Sequence, residues 1–291
     1  MTHTERQGLI AGLLAVACWA GFVLVSRAGG RSPLTPWDIM AIRFGVGSLL
    51  LLPFLRPGRL WLNARGLTLA LVGGLGYGLA VYQGFRLTSA VHAAVMLPGL
   101  IPFGAALFAA LILGDRPSPL RWLGLVTIAV GGVLMLASTG GHGDPAGDLW
   151  LVAAVLCWSL YTVLARRWQV SAWTGAITTA LWSAALFLPL YLLWLPGNLA
   201  AASVGDIALQ VVYQGLIATV LAMLLYLRAV SSIGPAAMGA LMALVPVVSG
   251  LLAVPVLGEA LSVTEAVALA VTSVGAVLAS GLLRRRQPEA R

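Results

Sequence analysis

Lysine is missing altogether: the 17 basic residues of this 291-residue chain are all arginine, set against nine acids. Charged residues make up 9% of the sequence, where a soluble globular domain carries about a quarter. Paired acids, a His/Cys cluster with metal-ligand spacing and a glycine-rich phosphate loop followed by lysine are all lacking, which removes the common hydrolase, metalloenzyme and nucleotide-dependent classes. No cofactor is expected. Cysteine is reduced to Cys18 and Cys157, both inside apolar stretches, where they read as small apolar fillers rather than a disulfide or redox pair.

What is there in quantity is apolar: 60% of residues, with a mean hydropathy of +0.98. Such a chain belongs in a bilayer, where each helix needs roughly 20 apolar residues. The stretches 9–26, 36–55, 66–85, 91–113, 119–138, 148–166, 173–195, 207–229, 235–257 and 262–283 qualify, and short connections leave no room for an extramembrane domain. The first is followed by Arg27 rather than a small-residue cleavage site, and reads as a retained helix. With the N-terminus inside, the cytoplasmic segments hold 13 arginines. The outer segments hold Arg27, Arg31 and Arg86, and Arg43 lies within the second stretch. That is a positive-inside distribution. It accounts for the pI near 10.5 without nucleic acid, and it predicts both termini on the cytoplasmic side. The Arg284–Arg286 run then anchors the end of the chain at an anionic leaflet.

The chain is one unit written twice. Residues 82–136 align with 226–280 at a constant offset of 144, with 15 identities in 55 positions. Pro102 meets Pro246, Gly114-Asp115 meets Gly258-Glu259, and Gly131 meets Gly275. Upstream, Cys18-Trp19 and Arg27 match Cys157-Trp158 and Arg166 at offset 139, and Trp37 and Pro53 match Trp173 and Pro189 at offset 136. Residues 1–141 and 142–291 are therefore read as two repeats. Five helices per copy is an odd number, so the second copy enters the membrane in the opposite sense. The expected fold is an all-α membrane protein of ten transmembrane helices in two inverted five-helix repeats, an arrangement suited to alternating access.

These residues resemble the EamA-type members of the drug/metabolite transporter superfamily over residues 9–283. The resemblance rests on the five-plus-five arrangement, Trp19 and Trp158, Arg43, Pro102 and Pro246, and the Gly-acidic pairs. The chain departs from it with Asp115 where Glu is usual and with Thr179 opposite Arg43. Within the superfamily it is most similar to bacterial amino-acid exporters, in particular the aromatic branch. The resemblance implies an exporter of the bacterial inner membrane, monomeric or weakly dimeric, not an enzyme. A membrane enzyme or lipid-handling protein acting on a lipid-linked substrate is the alternative.

Candidate cavity residues are the polar and aromatic side chains deep in helices. They are Trp19, Tyr77, Tyr82, Gln83, Met96, Trp158, Tyr161, Tyr213, Gln214 and Met242. Pro102 and Pro246 join them, since each frees a carbonyl that lipid cannot satisfy; both prolines are also readable as simple kinks. Helices 1, 3, 4, 6, 8 and 9 are expected to line the pathway, with 5 and 10 peripheral. Gly74-Leu75-Gly76-Tyr77-Gly78 reads as close helix packing. Trp37, Trp61, Trp122, Trp150 and Trp173 fall at helix ends as interfacial anchors. Arg43 and His92 are assigned structural or gating roles; Arg43 either binds a carboxylate or, as favoured here, ties its helix to a neighbour. The nine acids all fall in loops, tails or first turns. A pathway free of carboxylates suits neutral or zwitterionic, amino-acid-like substrates better than cations, and favours facilitated transport over proton exchange.

Overall fold

The computed structural model describes residues 2–55, 63–138 and 144–280, and it holds no strand among them. Trp61, the arginines Arg56, Arg59, Arg284, Arg285, Arg286 and Arg291 of the expected cytoplasmic segments, and the end of the last stretch lie outside the described residues. Eight helices are long and apolar enough to cross a membrane: α1 (His3–Arg31), α2 (Pro36–Phe54), α3 (Ala64–Leu87), α4 (Ala90–Leu113), α5 (Pro119–Leu136), α6 (Pro145–Arg167), α7 (Ala172–Leu193) and α8 (Val204–Met242). Two shorter apolar helices follow, α9 (Leu244–Leu257) and α10 (Val263–Ala279). The chain is an all-α, multi-pass membrane protein.

The sequence predicts a boundary near residues 230–234, and the helical path breaks there before continuing to Met242. One residue leaves the helical conformation on the way: Gly234, at φ 83° and ψ 160°. Only glycine enters that region freely, and Pro235 then restarts the helix with its fixed φ. A second interruption falls at Ala243 (ψ −15°), because Pro246 has no N–H to offer the Met242 carbonyl.

Most acids stand where helices begin. Thr2 with Glu5, Thr35 with Asp38, Ser203 with Asp206 and Ser262 with Glu265 each close a capping box. In each, the acid three residues on satisfies an N–H that the first turn leaves orphaned. The repeat is most literal at helix ends. Gly114 (φ 71°) closes α4 and Gly258 (φ 65°) closes α9, the left-handed stop that glycine makes without a Cβ clash. Both turns aim the acid that follows.

The helix contacts recur with their partners exchanged. α1 packs on α8 as α3 packs on α6; α1 meets α9 as α4 meets α6; α2 touches α8 as α3 touches α7. α5 lies against α10 with backbones in near contact, since a Cβ on Gly124 would stand 2.5 Å from the Ala279 nitrogen. Small residues permit that approach where no hydrophobic drive between helices exists. The main core joins Phe22, Phe85, Tyr82, Met96 and Leu151 from α1, α3, α4 and α6. Leucines and valines such as Leu111, Leu123, Val133 and Leu192 are exposed, as lipid-facing positions are.

The bundle has two ends. The near end holds His3, Ala64, Arg167 and Ala172; the far end holds Arg31, Ala90, Pro145 and Leu257.

Candidate functional site

A cavity of about 70 Å³ lies between α1, α2, α3, α6, α7 and α8. Trp19, Arg43, Phe44, Gly73, Trp158 and Tyr161 form much of its wall, and Thr179, Ala180, Thr219 and Met223 complete the α7 and α8 side. The repeat reappears in this wall: Trp19 faces its match Trp158 with ring centroids 6.4 Å apart, and the pairs Arg43/Thr179 and Phe44/Ala180 both contribute. The space sits toward the near end, because α3 and α7 supply it from within their first turns and α6 from its last three.

Its aromatic floor is continuous. Trp158 lies 4.9 Å from Tyr77 and 5.2 Å from Tyr161 between ring centroids. Gly73 makes room for this cluster, since a Cβ there would come within 2.3 Å of the Tyr161 ring. The indole N–H of Trp19 is buried without a hydrogen-bond partner among the described residues, as is the hydroxyl of Ser183, which stands against Gly74 of the wall.

A polar rail leaves the cavity from Arg43. Its Nη1 donates to the Tyr82 hydroxyl at 3.1 Å, and that hydroxyl donates to Gln214 Oε1 at 2.9 Å. Gln214 Nε2 donates to Ser26 Oγ at 3.0 Å and to Gln210 Oε1 at 3.2 Å, and Gln210 Nε2 ends the rail on the Val25 carbonyl at 2.9 Å. Every donor in the series points away from Arg43, so each buried polar group along it is satisfied. The guanidinium also lies 5.4 Å over the Phe22 ring, a cation–π contact.

The far end is closed by buried charge. Arg27 Nε bonds Glu259 Oε1 at 3.1 Å, and Glu259 Oε2 accepts from the backbone N–H groups of Ala90 at 2.7 Å and Val91 at 3.3 Å. His92 lies between two carboxylates, with Nδ1 at 3.0 Å from Asp148 Oδ2 and Nε2 at 3.3 Å from Glu265 Oε1. Asp38 accepts from the Tyr191 hydroxyl at 2.5 Å and from the Asn198 N–H at 3.0 Å. The expectation that the acids stay at helix starts agrees with these positions, but the exposure such positions usually have does not follow. Asp38, Asp148, Glu259 and Glu265 are all buried, because loops and helix starts from several segments converge there.

The cavity therefore collects Trp19, Trp158 and Tyr161 among the sequence candidates, with Tyr77, Tyr82 and Gln214 in direct contact behind them. Tyr213 donates to the Cys18 carbonyl at 3.3 Å, beside the wall. Met96 is wholly buried in the core and Pro246 is buried in α9; Met242 packs under α1 with Met238. Pro102 faces a different space between α5, α8 and α10, and Gln83 is not among the residues lining the cavity. His92 belongs to the far end, in the first turn of α4. Helices α2 and α7 stand where α4 and α9 were expected: the prolines of α4 and α9 shape the far-end half, while small residues let α7 close on α3. Cys18 and Cys157 are free. Thr179, Phe44 and Met223 carried no sequence signal, except that Thr179 is the match of Arg43.

The family model for "EamA-like transporter family" matches this chain twice, over residues 6–137 and 145–281. Among curated proteins, the chain is similar to the uncharacterized transporter YdeK of Bacillus subtilis, at 30% identity over 196 residues, 64% of each protein. Part of the length of YdeK thus lies outside the match. The threonine/homoserine exporter RhtA of Escherichia coli K12 is 27% identical over 252 residues, covering 84% of this chain and 80% of RhtA. A crystal structure at 26% identity superposes with a TM-score of 0.65, covering 94% of this chain and 96% of that one.

Proposed function

Since the chain belongs to the EamA-like transporter family, we propose that it exports small amino-acid-like metabolites, aromatic and apolar ones included, across the bacterial inner membrane. The observation that carries this reading is a cavity walled by Trp19, Trp158 and Tyr161 at the junction of the two sequence repeats. Rings of this kind hold apolar parts of many shapes. The chain comprises ten spans in two inverted repeats, residues 1–141 and 142–291, with both termini cytoplasmic. The exchange of partners between the helix contacts supports that arrangement. So does the pairing of matched residues, Arg27 with Glu259 at the far end and Arg166 with Asp115 at the near end. The near end is then the cytoplasmic one, and the cavity lies toward it. Transport alternates access between the ends and runs down the substrate gradient, since no Asp or Glu stands in the cavity wall. The molecule works as a monomer or weak dimer and performs no covalent chemistry.

The test is counterflow of radiolabelled phenylalanine in proteoliposomes. Flux is expected to persist when an ionophore collapses the pH gradient, and tags at both termini to be reachable from the cytoplasmic side of cells alone. Trp158→Ala weakens apparent affinity roughly 2- to 13-fold, the loss of about 0.5–1.5 kcal/mol of aromatic contact. Trp122→Ala, at an exposed position on α5, leaves it unchanged. Equal damage from the two variants at equal expression would move the site elsewhere.

A further inference from the structure

Arg43 is the one cavity-wall residue whose charge the protein leaves without a counter-charge. The described residues hold ion pairs for Arg27, Arg166 and His92, and no carboxylate comes within salt-bridge distance of Arg43. Its hydrogen bonds, to Tyr82 and at 3.5 Å to Gln214, both use Nη1. Nε and Nη2, the edge that grips a carboxylate with two parallel N–H donors, have no partner among the described residues. The Tyr82–Gln214–Gln210 rail holds the guanidinium in place while satisfying one corner of it.

An arginine in a membrane interior is costly enough to mark function, and a buried unpaired charge is more costly still. Snorkelling does not relieve it here: the Tyr82 bond and the Phe22 ring fix the head group inside the bundle. A second observation points to the same occupant. The Trp19 indole N–H is buried without an acceptor, and Trp19 and Arg43 share the wall. A positive fork and a spare N–H donor, with no Asp or Glu beside them, together ask for an anionic acceptor. The wall offers an ammonium group no acid in return.

We propose that Arg43 is the substrate-carboxylate site, so that this cavity selects small monocarboxylates bearing an apolar or aromatic group and reads little from an α-ammonium. This rests on the transport reading above and sharpens its substrate class: an amino acid is recognised as a carboxylic acid with a side chain, and its deaminated counterpart fits as well.

The experiment uses the purified full chain in detergent, following intrinsic tryptophan fluorescence as ligand is added, since Trp19 and Trp158 line the cavity. The probes are phenylalanine, 3-phenylpropionate, which lacks the ammonium, and phenylalaninamide, which lacks the carboxylate. Phenylalanine and 3-phenylpropionate are expected to bind within about threefold of each other, and phenylalaninamide about tenfold or more weakly, the scale of a lost charge-assisted hydrogen bond. Arg43→Gln abolishes that preference. Arg43→Lys, which keeps the charge and loses the fork, retains part of it and controls for folding. Should phenylalaninamide bind as well as the two acids, should none of the probes bind, or should Arg43→Gln keep the acid-over-amide ratio, the assignment is overturned. Binding of the acids without counterflow would leave the carboxylate site standing and remove the transport function instead.

Discussion

Arg27 with Glu259 and Arg166 with Asp115 are one pair written twice, and the two copies differ in everything except their chemistry. At the far end the side chains are 12% and 3% exposed; at the near end they are 62% and 31% exposed. Glu259 uses its second oxygen to cap α4 on the N–H groups of Ala90 and Val91. The repeat places Gly234 and Pro235 opposite those two residues, and a proline has no N–H to donate. Asp115 is also one methylene shorter. The inequality is therefore written in the sequence as well as in the conformation: a near-end latch built from Asp115 finds at most one of the two backbone donors that Glu259 enjoys. On the proposed alternating-access reading the weaker near-end latch is the one expected to release first, and the cavity lies toward that end.

The comparison breaks first at Glu259. Glu259→Ala strands the Arg27 guanidinium in a buried site, and losing one partner of such a pair costs about 3–5 kcal/mol. Thermal unfolding in detergent is expected to show this as the largest drop of any single variant discussed. The double variant Arg27→Ala/Glu259→Ala recovers part of the loss, because no charge is then left alone. A Glu259→Ala protein as stable as the parent would mean that the far end is not latched by this pair.

His92 sharpens the same contrast. The His92 ring offers one nitrogen to Asp148 and the other to Glu265, whereas a glutamine amide has a single nitrogen to set between two carboxylates. His92→Gln is expected to cost about 1–3 kcal/mol, the range for a buried group left unsatisfied. It also loosens the far end: in a background free of Cys18 and Cys157, Ala94→Cys two residues further along α4, wholly buried, reacts faster with a small thiol reagent when His92 is Gln. An unchanged labelling rate would make the His92 cluster a packing feature with no part in closure.

The sequence carried the helices, the duplication and the Trp19/Trp158 match because apolar length and repeated punctuation are local signals. It placed the acids in loops, tails and first turns, where the described ones stand, and there local reasoning stopped. That Asp38, Asp148, Glu259 and Glu265 are buried depends on which loops converge, a long-range fact. The choice of α2 and α7 over α4 and α9 for the cavity wall has the same origin. Proline marked α4 and α9 as irregular, but irregularity shapes a helix without saying which way it faces. Arg43 was visible as an anomaly. Its partners Tyr82 and Gln214 lie 39 and 171 residues away, which no window of sequence contains.

The smallest expected effect is at Asp115, and it tests the comparison from its weak side. An exposed ion pair contributes about 0–1 kcal/mol, because water screens the charges and two long side chains must be ordered. Asp115→Ala is expected to lower stability by less than 1 kcal/mol, and the difference fades near 1 M salt, where the screening length is about 3 Å. Glu259→Ala, being buried, keeps most of its cost under the same conditions. The two salt profiles thus separate a buried latch from a solvent-exposed one. If Asp115→Ala matched Glu259→Ala in size and in indifference to salt, the near end would be held as firmly as the far end. The order of release argued from Pro235 and the shorter acid would then have no energetic basis.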